Sequence, residues 1–128
     1  MSEKNVSREA FAERLDYLRS QPDGWYHGEG KAFQPEDLDR LKTSLEALVG
    51  RNQIPCPWLY PVVDTSVAVE WELNGWDISL VVDLSNQQFV FHALHDAGPE
   101  ETFTGTLGVE PSTKRLDAFF TEIAVTRG

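Results

Sequence analysis

Between Ser66 and Leu94 apolar and polar residues alternate through three successive runs, the period-2 signature of strands with one buried face. The first interruption is Asn74-Gly75, a pair that accepts the two positive φ angles of a type I′ turn and so predicts a hairpin. Setting Leu73 opposite Trp76 brings Trp71 opposite Ile78, Val69 opposite Leu80 and Val67 opposite Val82, all on one apolar face. The other face then reads Glu70, Glu72, Asp77, Ser79 and Asp83. A second tight turn at Ser85-Asn86 places Phe89 opposite Val82, Phe91 opposite Leu80 and Ala93 opposite Ile78, which extends the apolar face by a third strand. A slip of one residue would bury Asp77 and Asp83 and expose the aromatics, so the register is strongly specified. On the polar face Ala68, Val81 and Val90 make a small apolar island, with Val81 opposite Val90 and Ser79 opposite His92.

The remaining elements follow from helical spacing and its punctuation. Ser7 can cap a first helix whose stripe is Phe11, Leu15 and Leu18, ended by the turn Pro22-Asp23-Gly24. A second helix starts at Pro35, with Glu36 and Asp37 in its first turn and a pairing of Glu36 with Arg40. Its stripe is Leu38, Leu41, Leu45 and Leu48, and Gly50 reads as the residue just past its end. From Arg51 to Thr65 the prolines at 55, 57 and 61 predict an extended crossing poor in hydrogen bonds, whose Trp58 and Tyr60 would suit a partner site if exposed. Thr102 to Leu107 reads as a weaker fourth strand with Gly105 as a bulge. A last helix from Pro111 or Ser112 to Val125 carries Leu116, Phe119, Phe120, Ile123 and Ala124. Each stripe needs a surface to bury against. The expected fold is therefore α+β: one domain over residues 1–128, a two-layer sandwich with a four-stranded antiparallel meander and helices on one face, in the order ααββββα.

Composition changes this picture chiefly through charge. Eleven Lys and Arg stand against 21 Asp and Glu in 128 residues, a formal net charge of -10, and no Lys or Arg occurs from Asn52 through Thr113. That span covers every expected strand. Direct nucleic-acid binding by the sheet is excluded on this ground, because such affinity rests on cations that neutralise phosphates. A basic protein partner fits, and solubility through net charge is the competing reading. The start, Met1-Ser2-Glu3-Lys4, has no apolar signal region, and no run approaches the ~18 apolar residues that span a bilayer, which predicts a cytoplasmic protein with no membrane partner. The single cysteine, Cys56, excludes an internal disulfide and reads as structural.

Candidate chemistry is sparse. The segment Gly24-Trp25-Tyr26-His27-Gly28-Glu29-Gly30-Lys31 can bring its backbone close to another surface, with Trp25 anchoring it and His27, Glu29 and Lys31 facing a ligand or partner. It is not a phosphate loop, since Trp25 stands where the first glycine belongs and Ala32 where a Ser or Thr should follow the lysine. His92 and His95 point to opposite faces of a strand, unlike a helical metal pair, and no metal or other cofactor is expected. Glu70 and Glu72 lie two apart with Asp77 opposite Glu72, a repulsion that solvent or a cation can relieve.

The set Gly24-Trp25, Gly28-Glu29-Gly30, a Leu-rich helix, Pro55, Pro57 and Pro61, then Glu70-Trp71 resembles a family of small uncharacterised bacterial proteins. The resemblance covers residues 24–95, departs at His27, where such proteins often carry Asp, and implies a shared fold and a bacterial origin but no activity. The functional expectation is a non-catalytic bacterial interaction protein, immunity- or antitoxin-like. It would present Glu70, Glu72, Asp77, Asp83 and His92 to a basic protein, with the loop Trp25, His27, Glu29 and Lys31 as a second contact surface. The alternatives are a small metal-dependent or hydrolytic enzyme using that loop and Glu70, and a structural homodimer that buries Val81 and Val90.

Overall fold

The computed structural model describes residues 5–25, 28, 32–62 and 65–125, the side chains of the last two excepted. Along these residues the order is β1 (Asn5–Val6), α1 (Arg8–Arg19), α2 (Pro35–Asn52), β2 (Cys56–Val62), β3 (Ser66–Leu73), β4 (Trp76–Asp83), β5 (Gln88–His95), β6 (Glu100–Thr106) and α3 (Glu110–Val125). The strands form one antiparallel sheet in sequential order, β1 to β6. The expected α+β architecture holds, but the sheet has six strands rather than four, and the order is βααβββββα.

The central registers follow the alternation. Trp71 faces Ile78, Val69 faces Leu80 and Val67 faces Val82. Phe89 faces Val82, Phe91 faces Leu80 and Ala93 faces Ile78. Asn74 and Gly75 have φ of 51° and 85°, both left-handed, as the hairpin turn requires. The second turn is wider than expected, spanning Leu84 to Gln87. Leu84 buries its side chain, the Gln87 N–H donates to the Asp83 carbonyl at 2.7 Å, and Gln87 takes a φ of 61°. The register survives because a four-residue loop with the same centre pairs the same residues.

The two strands that alternation missed lie at one edge. β2 pairs with β3 through Trp58, Tyr60 and Val62, opposite Glu70, Ala68 and Ser66. Antiparallel strands bond each neighbour with alternate residues, so Pro57, Leu59 and Pro61 aim their backbone groups outward. On that side a missing N–H costs nothing, which is how a proline-rich segment serves as a strand. The Leu59 carbonyl, aimed outward, accepts from Arg14 Nε at 2.5 Å. β1 pairs Asn5 with Pro57 and Val6 with Cys56. Beyond the last β2–β3 pair, Trp58 with Glu70, the Asn5 amide stands in for a peptide: its Nδ2 donates to the Glu72 carbonyl at 2.7 Å and its Oδ1 accepts the Glu72 N–H at 3.0 Å.

All three helices cover one face. Ser7 caps α1, its side chain accepting from the Ala10 N–H at 3.1 Å, and α1 packs on β2. α2 and α3 pack on each other and α3 on β6. The expected stripes Phe11-Leu15-Leu18, Leu38-Leu41-Leu45-Leu48 and Leu116-Phe119-Phe120-Ile123 are all buried. Trp71 is fully buried, edge-on to Phe120 at 5.3 Å between centroids, with Nε1 donating to the Pro55 carbonyl at 2.8 Å.

Three local expectations are corrected. Gly50 lies inside α2, which runs to Asn52 and ends at Gln53, the left-handed residue that caps it. Arg40 pairs with Asp37, not Glu36. Gly105 sits in regular register opposite Phe89 rather than in a bulge. Its missing side chain makes room for α3, since a Cβ there would meet the Phe89 ring and the Ser112 Cβ at 2.9 Å.

Candidate binding face of the sheet

Alternation sends the residues between the core positions to the opposite face of the sheet, which no described element covers. Four transverse rows run across it. From one end they are Val62-Ser66-Asp83-Gln88-Thr106, Tyr60-Ala68-Val81-Val90-Thr104, Trp58-Glu70-Ser79-His92-Thr102, and Glu72-Asp77-Leu94-Glu100. The second row holds the expected island of Ala68, Val81 and Val90, with Tyr60 added. Val81 and Val90 are 38% and 49% exposed and Leu94 44%, so the face offers apolar as well as charged surface. Ala68 is buried by its neighbours. A shallow hollow of about 630 Å³ opens between Asp83, Val81, Val90 and Thr104.

The carboxylates divide between the two ends. Glu70, Glu72, Asp77 and Glu100 gather toward the β3–β4 turn, with Glu72 directly opposite Asp77. Asp83 stands alone, six residues along β4 from Asp77, roughly 20 Å away at strand rise. The Tyr60 hydroxyl donates to Glu70 Oε2 at 2.9 Å, and His92 Nε2 lies 2.6 Å from Glu100 Oε2. Asp83 Oδ1 accepts from the Ser85 N–H at 3.0 Å and the Ser85 hydroxyl at 2.7 Å, so it also holds the β4–β5 turn. β2 to β6 contribute no Lys or Arg to the face. At its edge Arg14 lies over the Trp58 ring at 4.5 Å and the Tyr17 ring at 4.3 Å, cation–π contacts that fasten β2 to α1.

The structure thus brings Glu70, Glu72, Asp77, Asp83 and His92 onto one face. Trp25 is elsewhere: it packs against the helix-side core, 6.1 Å from Phe33 between ring centroids. Gly24 and Gly28 have φ of 80° and 90°, the backbone freedom read from that loop's glycines. His27, Glu29 and Lys31 lie outside the described residues. The loop's flanks, Asp23 and Ala32 to Gln34, share a hollow with Thr65, Leu84 and Ser85, beside the turn that Asp83 holds. Trp58, Tyr60, Leu94 and Glu100 complete the face. Leu94 and Glu100 follow from extending the register, whereas Tyr60 required reading Trp58-Tyr60-Val62 against Pro57-Leu59-Pro61 as strand alternation.

His95 points to the helix face beside Trp76, 5.0 Å between centroids, opposite to His92 as strand geometry requires. Among the described residues no three His, Cys, Asp or Glu side chains are placed to hold a metal ion. Cys56 is buried, and burial pushes its thiol above the ordinary pKa, with nearby Arg8 opposing and Glu46 adding to the rise. A protonated, shielded thiol is a poor nucleophile. No helix among the described residues is long and apolar enough to cross a membrane. No protein-family model, curated protein or solved structure matches the chain.

Proposed function

We propose that this chain is a non-catalytic binding protein that presents the uncovered face of its sheet to a basic protein partner, in the manner of immunity and antitoxin proteins. The observation that carries the reading is the composition of that face: five carboxylates and no strand-borne Lys or Arg around an exposed apolar row. Apolar surface supplies affinity, and flanking charge of one sign supplies steering and discrimination against acidic partners. Five strands of about eight residues, spaced ~4.8 Å apart, present roughly 600 Å², close to the ~800 Å² per partner of an ordinary stable interface. Nucleic acid is repelled by the same charges.

The test is a pull-down from the source bacterium with wild type and with a Glu70→Gln, Glu72→Gln, Asp77→Asn, Asp83→Asn variant, at low and moderate salt. The reading expects a basic protein held by wild type at low salt, weakened by salt and lost with the variant. Capture that is equal for both proteins at both salts contradicts it and leaves the charge a role in solubility alone.

A further inference from the structure

The two edges of the sheet are finished in opposite ways. At the β2 edge the outward backbone positions are Pro57, Leu59 and Pro61: two lack an N–H, Arg14 takes the Leu59 carbonyl, and β1 covers the start of the strand. At the β6 edge the inward residues are Glu101, Phe103 and Gly105, because Leu107 continues that series by donating its N–H to the Gln87 carbonyl at 2.9 Å, toward β5. Thr102 and Thr104 therefore aim their N–H and C=O groups outward, where they meet no partner among the described residues, and both are exposed. Only Thr106, at the end of the strand, has its outward N–H satisfied, by the Ser112 hydroxyl at 2.9 Å. An edge left with unmade backbone bonds is a template for another strand.

We propose that the β6 edge pairs with the β6 edge of a second copy, joining two six-stranded sheets into one across a two-fold axis at Phe103. Only outward residues can exchange bonds, and the register that overlaps Glu100–Thr106 completely sets Thr102 opposite Thr104 of the other copy and Phe103 opposite its equivalent. That register opposes no two acidic residues: Glu100 faces Thr106 and Glu101 faces Gly105. Glu101 lies on the helix face with Phe103, and Gly105 offers no side chain there. The Glu101 carboxylate of one copy is thus directed at the first turns of α3 in the other, where Arg115 lies over the Phe103 ring at 4.6 Å and makes no ion pair among the described residues. The symmetry repeats this complementary pair.

The closed β2 edge explains why assembly stops at two, since a β6-to-β2 contact that would propagate a fibre meets prolines and a capped carbonyl. The alternative of stacking two copies through their open faces would set carboxylates against carboxylates. Edge pairing instead leaves both open faces on the same side, with the β4 strands of the two copies about 24 Å apart, well beyond the ~8 Å Debye length.

The experiment is amide hydrogen exchange with sedimentation velocity on the full chain, from low micromolar to about 1 mM. A dimer with protection of the Thr102 and Thr104 amides that rises with concentration is expected. Thr104→Pro removes one outward donor and should leave a monomer with unchanged circular dichroism. Because a proline can also disturb the strand, Glu101→Arg and Arg115→Glu are measured singly and together. Each single change should weaken the dimer roughly tenfold, and the double change should restore it. A monomer at about 1 mM, or a dimer whose Thr102 and Thr104 amides exchange freely, overturns the proposal. These readouts need no other protein, so their outcome is separate from that of the open-face reading.

Discussion

The two faces of the sheet are built from alternate residues of the same strands, yet they obey different rules. On the helix side Trp71, Leu80, Phe91 and their neighbours are sealed by three apolar stripes, and each side chain is held by what surrounds it. On the open side Val81, Val90 and Leu94 stay exposed, and Glu72 and Asp77 face each other as like charges. The covered face maximises burial. The open face keeps exposed apolar area and directly opposed carboxylates, and the proposed binding role rests on that difference.

Substitutions can break or sharpen this contrast. The largest effect is expected at Trp71, where truncation to Ala empties a sealed site and leaves the Pro55 carbonyl without its donor. The cost should be about 3–5 kcal/mol in chemical denaturation. Gly75→Val attacks the turn that aligns both faces, because a β-branched residue resists a φ of 85° and its Cβ would press on His95 Nε2 at 2.8 Å. The expected loss is about 2 kcal/mol. Val82→Thr should cost about 1–2 kcal/mol by burying a hydroxyl, while Val90→Thr, one strand away on the open side, should stay within ~0.5 kcal/mol. Equal costs for the two valines would mean that the open face is covered. Smallest of all, Glu72→Gln should raise stability by a few tenths of a kcal/mol at low salt, as it relieves the repulsion with Asp77.

How much of this was legible in the sequence depended on whether one local rule governed each residue. From Ser66 to Leu94 the alternation and the Asn-Gly turn agree, so the register and the open-face residues Glu70, Glu72, Asp77, Asp83 and His92 could be read directly. Cys56 to Val62 was hidden because proline opposes a strand in general but not at outward positions of an edge, and which positions face outward depends on a neighbour far away in sequence. β1 has only two residues, too short for any period to show. Gly50 and Gly105 were misread because glycine marks helix ends and bulges in isolation, while here packing set its role: α2 runs on through one, and α3 presses on the other. Tyr60 stood out as a residue that would suit a partner site if exposed, and it is exposed, but its place on this face was hidden with β2.

The most direct test of the open face is amide chemical-shift mapping of this chain, at moderate salt, with the basic protein that the proposal expects the pull-down to capture. The account predicts perturbations at Ser79, Val81, Val90, His92 and Thr102, with the amides of α2 and α3 unmoved. Perturbations gathered instead in the cleft where Thr43 and Ser44 of α2 face Leu107 and Gly108, with Val81 and Val90 silent, would contradict it.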